Sequence, residues 1–274
     1  MLGKLIKHEF VASSRLMGLM VICALFVAGI TSLSYALDII WFQVTATFLL
    51  VISAVAVIIF TYIVVAVRFF KSMYSQEGYL TMTLPVSSSN LLGAKVIVSL
   101  IWLIVSVLVC TGMVALLLLL LYSGNVDQFF SSVMATFGMV DVGVWLQYIA
   151  FLGGTLLVGM IVFLGQVFFA ITLANTAAFQ RYSIVSAVFL YLGISLVMGT
   201  IESVLTLFVP IGFQMTTEGI RLVGSNMMGM MVSPNSVTVS YAAVGLGGFV
   251  FQLVEIVGLF FGTSQLIKRK LCIR

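Results

Sequence analysis

Charge is what this chain has least of. Charged residues occupy 7% of its 274 positions, whereas soluble domains average about 25%. Hydrophobic residues occupy 62%. Because so few charges cannot cover a water-exposed surface, the composition excludes a soluble globular domain. It predicts an all-α polytopic membrane protein.

Cysteine and histidine are also scarce. The three cysteines, Cys23, Cys110 and Cys272, have neither paired nor metal-like spacing. Two of them lie in apolar runs, where cysteine is usually a small packed residue. His8 is the one histidine, and a metal site would need partners that the chain does not supply. We therefore predict no metal ligand and no cofactor in this chain.

Catalytic and nucleotide-binding motifs are missing too. The sequence contains no GxxxxGK[ST], HExxH or GxSxG pattern and no run of intramembrane cations. It therefore predicts no catalytic residues, no P-loop and no voltage sensor, although an enzyme built on a single acid stays open. The basic residues lie at the ends of apolar runs rather than in a patch with aromatics, which argues against a nucleic-acid partner.

Six apolar runs are present, and each can cross a hydrocarbon core that needs about 20 residues. They occupy residues 16–37, 39–67, 91–122, much of 142–180, 182–201 and 244–267. With six crossings, eleven of the twelve basic residues fall on one side and only Arg221 falls on the other. By the positive-inside rule, both termini and the loop at 68–95 are cytoplasmic.

The two ends of the membrane domain carry further expected elements. Residues 1–15 have apolar and basic faces typical of an interfacial helix on the cytoplasmic leaflet. A signal peptide is excluded because the next apolar run is too long and lacks a cleavage site. On the outside, 123–144 has one aromatic helical face. The apolar but broken segment 208–241 predicts short re-entrant or interfacial helices before the last crossing, with a flexible loop as the alternative.

Residues 68–95 form a polar break between apolar blocks. Phe69, Phe70, Met73 and Tyr74 have the spacing of one helical face, with Lys71, Ser72, Ser75 and Gln76 opposite. Gly78 is the expected stop of that helix, and the side-chain oxygens of residues 87–90 are expected to cap a new helix that begins near Leu91. The segment therefore predicts a short amphipathic helix, a turn and a restart.

The start MLGKLIKHEF with Arg15, and the loop EGYLTMTLPVSSSNLLGAK, resemble the membrane subunits of bacterial ABC-2 type exporters. The group most similar is the Gram-positive one that handles bacitracin-like or lantibiotic peptides. The resemblance covers residues 1–15 and 76–102, and elsewhere it rests on topology alone. It implies an amphipathic connecting helix, six crossings, a coupling helix in the first cytoplasmic loop and re-entrant helices before the last crossing.

The resemblance also implies partners. A separate ATPase subunit would bind ATP and Mg²⁺, and two permease chains would pair in the plasma membrane. Aromatic anchors with charge at the rim suit such an ATPase interface. The expected ATPase-coupling residues are Phe69, Phe70, Lys71, Tyr74, Glu77, Gly78 and Tyr79. The alternative for Phe69 and Phe70 is that they only anchor the helix in the lipid interface.

Two acids lie in apolar surroundings, Glu202 and Glu255. At ~1.5 Å per residue, Glu202 is expected at the outer interface and Glu255 near mid-membrane, where a carboxylate must be protonated, paired or facing water or protein. Gln252 lies one turn earlier and could share hydrogen bonds with Glu255.

The favoured function is an ABC exporter permease that moves an amphipathic peptide, drug or lipid-like substrate outward. The alternatives are an ion-coupled transporter or channel that uses Glu255, and a membrane immunity or scaffold protein.

Overall fold

The chain forms six long helices, seen in a computed structural model that describes residues 2–74, 88–121, 131, 141–176, 183–216, 219–224 and 243–269. Each helix is long and apolar enough to cross a membrane, which confirms the all-α polytopic fold class. The helices are α1 (Leu2–Ala36), α2 (Ile40–Tyr74), α3 (Ser88–Leu121), α4 (Val142–Ala174), α5 (Ser183–Phe208) and α6 (Leu246–Arg269).

The first of two compact units contains α1, α2 and α3, each packed against the other two. A tight turn joins α1 to α2, and Asp38 in that turn has a φ of 52°. Asp tolerates this left-handed conformation because its short polar side chain can bond locally, and Gln43 Nε2 donates to Asp38 Oδ1 at 3.2 Å. The apolar core of the unit comprises Met20, Ala24, Leu50, Val57 and Met113.

The second unit contains α4, α5 and α6, again with each helix packed against the other two. Close packing of α5 on α6 depends on glycine. A Cβ added to Gly247 would lie 2.5 Å from the backbone oxygen of Leu205 and 2.8 Å from Val209 Cβ. Because only hydrogen occupies that space, the start of α6 lies directly against the end of α5.

A small sheet precedes α6 in the second unit. Strands β1 (Gly212–Thr216), β2 (Gly219–Val223) and β3 (Ala243–Gly245) have the order β2-β1-β3, with both pairings antiparallel. Gly219 has a φ of 125°, and a Cβ there would lie 2.7 Å from Gln147 Oε1 on α4. The backbone N–H of Ile220 donates to that same oxygen at 3.4 Å.

Three local expectations differ from the observed fold. Residues 2–15 are the first turns of α1, because no proline interrupts the chain and Glu9 and Ser13 bind residues of the neighbouring helices. Residues 68–74 are likewise the last turns of α2 rather than a separate helix. Residues 212–216 and 219–223 are strands, not re-entrant helices, and their backbone groups are paired in the sheet. Residues 225–242, and most of 123–140, lie outside the described residues.

Candidate functional site

A buried ion pair ties the three helices of the first unit together. Lys95 on α3 is 4% exposed, and its Nζ donates to Glu9 Oε1 at 2.5 Å and to Ser72 Oγ at 2.6 Å. Arg68, one turn before Ser72 on α2, lies 3.7 Å from the other Glu9 oxygen and donates to the carbonyl of Ala12 at 2.6 Å. We refer to Glu9, Arg68, Ser72 and Lys95 as the Lys95 cluster.

The Lys95 cluster continues along α1 and α3 into an aromatic contact. Trp102 lies two turns beyond Lys95, and its indole N–H donates to Ser13 Oγ at 2.9 Å. The Trp102 ring stacks on Phe10 with centroids 5.1 Å apart and planes 9° apart. Because Ser13 follows Glu9 by four residues, the ion pair and the indole bond use the same face of α1. The contact thus extends over about two helical turns.

The Lys95 cluster includes residues from both helices that flank the polar loop. Helix α2 ends at Tyr74 and α3 begins at Ser88, so Ser72 lies in the last turn of α2 and Lys95 lies about two turns into α3. Burying a charged lysine is costly unless it is paired and hydrogen-bonded. Glu9 and Ser72 provide those partners, so the last turn of α2 and the first turns of α3 are bonded to each other and to α1.

The expected ATPase-coupling residues fall into three groups. Phe69 and Tyr74 are 3% and 6% exposed, with their ring centroids 6.3 Å apart, so they belong to the packing of the first unit. Phe70 is half-buried and Lys71 is exposed. The remaining three, Glu77, Gly78 and Tyr79, lie outside the described residues.

The amphipathic pattern at 69–76 is therefore a core pattern over its described part. Met73 is fully buried beside Phe69 and Tyr74. Ser72, expected on the polar face, is also buried, and its hydroxyl oxygen accepts a hydrogen bond from Lys95. Of the expected coupling residues in the described part, Lys71 is therefore exposed, Phe70 is half-buried, and the other two are buried.

A second polar site lies between helices of the second unit. Glu255 on α6 is 5% exposed, and Gln166 Nε2 on α4 donates to its Oε1 at 2.8 Å. Its other oxygen, Oε2, is buried and has no hydrogen-bond partner among the described residues. Counting along α6, Glu255 is about 14 Å from Leu246 and about 21 Å from Arg269, which agrees with a position near the middle of a ~30 Å core.

Gln252 bonds to the other acid. Its Nε2 donates to Glu202 Oε1 on α5 at 2.6 Å, so the expectation that it shares hydrogen bonds with Glu255 is corrected. The two residues lie at matching depths, since Gln252 is six residues from the start of α6 and Glu202 is six from the end of α5. Each acid thus has its own amide partner, and the two acid–amide pairs lie about one turn apart along α6.

Several of these residues were not singled out from the sequence. Gln166 is an amide in the middle of an uncharged apolar run, which is a visible signal for a buried hydrogen bond. The contact of Glu9 with Lys95 is not predicted by any local pattern, because the two residues are 86 positions apart in the chain. In the part of the chain that the structure describes, no group of three His, Cys, Asp or Glu residues could hold a metal ion.

Comparison with known proteins adds no assignment. Neither protein-family models, nor curated proteins, nor solved structures match this chain.

Proposed function

We propose that this chain is the permease subunit of a bacterial ABC-type exporter whose ATP is hydrolysed by a separate subunit. The observation that carries the proposal is the Lys95 cluster. It joins the last turns of α2 to the first turns of α3, and both to α1, on either side of residues 75–87, the loop that resembles a coupling element.

A coupling loop works only if movement imposed on it reaches the membrane helices. A loop attached to independently frayed helix ends would absorb that movement locally. Here Lys95 bonds to α1 and α2 at once and is almost fully buried, and Trp102 repeats the link to α1 two turns further along. Displacement of residues 75–87 by a partner would therefore displace α1, α2 and α3 together.

The proposal includes the partners and the location. The ATPase subunit would hold ATP and Mg²⁺, since this sequence has no P-loop. A second permease chain, identical or different, would complete the pathway in the plasma membrane, with both termini cytoplasmic. The exported substrate would be an amphipathic peptide, drug or lipid-like molecule, in keeping with the apolar character of the helices.

Reconstitution in vesicles tests the proposal directly. The chain is purified with a candidate stand-alone ABC ATPase encoded beside it, and ATP hydrolysis and uptake of a fluorescent amphipathic peptide are measured. We expect both activities only when the two subunits are present together, and neither with an ATPase variant that binds but cannot hydrolyse ATP. ATP turnover by this chain alone, free of contaminating ATPase, would refute the assignment.

Glu255 supports a second candidate, an ion-coupled transporter or channel. A carboxyl near mid-membrane is a common feature of proton and cation pathways, and this one is buried with one oxygen unpartnered among the described residues. The same vesicles separate the two functions. Uptake driven by an imposed proton gradient without ATP favours this candidate, whereas uptake that requires ATP and ignores the gradient favours the exporter.

A further inference from the structure

The second unit contains one buried acid, Glu255, and one part-buried acid, Glu202, on helices that have few basic residues. Helices α4 and α5 contain no Lys, Arg or His, and α6 has its first basic residue at Lys268, thirteen positions beyond Glu255. At ~1.5 Å per residue that separation is about 20 Å. The charge of an ionised Glu255 therefore has no basic side chain of these helices to pair with.

The partners of Glu255 are uncharged or acidic. From α4 it receives the amide N–H of Gln166, and the titratable side chain nearest its level on α5 is Glu202, which is bonded to Gln252. Tyr148 on α4 and Tyr191 on α5 lie several turns away along their helices. An isolated ionised carboxylate in such surroundings is very costly, and such groups neutralise themselves instead.

We propose that Glu255 is a proton-binding site in the middle of the second unit, with Oε1 accepting from Gln166 and Oε2 carrying the proton. The two oxygens are already distinguished by their surroundings. Oε1 has its donor at 2.8 Å, and Oε2 is the buried atom without a partner among the described residues.

A proton fits this site better than a metal cation does. Hard cations such as Ca²⁺ and Mg²⁺ take about six or more oxygen ligands, which are carboxylates, carbonyls and waters. Gln166 turns its NH₂ group, not its oxygen, toward Glu255, and Gln252 does the same toward Glu202. One carboxylate oxygen of each acid therefore already accepts a hydrogen bond from an amide. A cation would have to displace that amide to bind the same oxygen.

Glu202 serves as the internal comparison. Its carboxylate is only part-buried and is bonded to Gln252. Gln252 lies about one turn nearer the start of α6 than Glu255 does. A part-buried carboxylate keeps more contact with solvent than a fully buried one. The two acids thus differ in solvation although each has one glutamine donor.

Infrared spectroscopy of the purified chain, with no other subunit present, tests the site. The wild-type spectrum minus the Glu255→Gln spectrum, recorded near neutral pH, should show the carbonyl stretch of a protonated carboxylic acid that shifts in D₂O. Carboxylate stretches in that difference spectrum would overturn the proposal. Glu202→Gln is the matched control, and it should retain the acid band of Glu255.

Two additions complete the test. Replacing choline by Na⁺ or K⁺ at constant ionic strength should leave the acid band unchanged, and its loss would identify a metal cation as the ligand.

A lipid-soluble carbodiimide should label the Glu255 peptide, because addition moves the acid proton to a carbodiimide nitrogen and acyl migration leaves a stable N-acylurea. Labelling should fall as the pH rises, and labelling that stays constant at every pH would contradict a titrating site. The inference rests on neither transport function, so the ATPase experiments can fail without affecting it.

Discussion

Lys95 and Glu9 lie 86 positions apart in the chain, and the Lys95 ammonium nitrogen is 2.5 Å from a Glu9 carboxylate oxygen. The pair connects the start of α1 with the start of α3, and Ser72 connects both with the end of α2. Because Lys95 is nearly fully buried, its charge depends on these partners. This dependence gives the first prediction.

Lys95→Met should destabilise the first unit by about 3 kcal/mol, the lower part of the range for breaking a buried pair, because Glu9 keeps some contact with solvent and with Arg68. The measurement is chemical unfolding of the detergent-solubilised protein. Glu9→Gln combined with Lys95→Met should recover part of the loss, since no charge is left unpaired.

Lys7→Met is the control for that measurement. It removes an exposed lysine from the same turns of α1 and should change the free energy of unfolding by no more than about 0.5 kcal/mol. Equal effects of Lys7→Met and Lys95→Met would mean that the buried ion pair contributes nothing specific.

Gly247→Ala should destabilise the second unit by about 1–3 kcal/mol, because the new methyl group would push α6 away from Leu205 on α5 and from Val209, which follows α5. Gly258→Ala on the same helix is the matched control. Nothing lies within 4 Å of a Cβ at that position, and alanine is the better helix former by about 1 kcal/mol. Thermal unfolding should rank the proteins in the order Gly258→Ala, wild type, Gly247→Ala, and a reversed order of the two variants would contradict the close helix contact.

Glu77→Ala combined with Tyr79→Ala should weaken binding of the ATPase subunit, or uncouple its ATP hydrolysis from transport, while membrane insertion stays normal. The reason is the loss of an aromatic anchor and a rim charge from the expected interface. Pull-down of the ATPase and vesicle uptake are the measurements. Asp141→Ala, which removes an exposed acid from the opposite expected side, should leave both at wild-type levels. Unchanged binding and transport in the Glu77 and Tyr79 double variant would count against the coupling role.

The expected orientation is tested with single cysteines on a background in which Cys23, Cys110 and Cys272 are replaced by serine. Ile39→Cys lies in the exposed turn between α1 and α2, and Lys7→Cys lies on the exposed face of the first turns of α1. By the positive-inside rule, a membrane-impermeant maleimide should label Ile39→Cys in intact cells and Lys7→Cys only after permeabilisation. The reverse pattern would invert the topology.

Residues 69–74 show how far a local pattern can be interpreted. The periodicity of Phe69, Phe70, Met73 and Tyr74 predicts an apolar helical face, and the described residues do form a helix. The same periodicity is produced by a docking surface, a lipid-facing surface and a protein core, because all three exclude water. Only the packing of α2 against α1 and α3 shows that Phe69, Met73 and Tyr74 belong to the core.

Glu255 and Glu202 show that a local sequence pattern also cannot identify the hydrogen-bond partners of buried polar groups. The depth of Glu255 follows from counting residues along an apolar run, and the structure agrees with it. Its donor could not be found in this way, because Gln252 on its own helix and Gln166 on another are equally suitable amides. The orientation of α6 between α4 and α5 selects Gln166 for Glu255 and Gln252 for Glu202.

The sequence by itself determined the fold class and the six helices, because long apolar runs must satisfy their backbone hydrogen bonds internally in lipid and helices do so locally. The tertiary structure decided which polar groups meet. Glu9 with Lys95, Trp102 with Ser13 and Glu255 with Gln166 join different helices, and their contact depends on how the helices rotate and align. The strands β1 and β2 were likewise decided by pairing, since these short segments become a sheet only where β1 is hydrogen-bonded between β2 and β3.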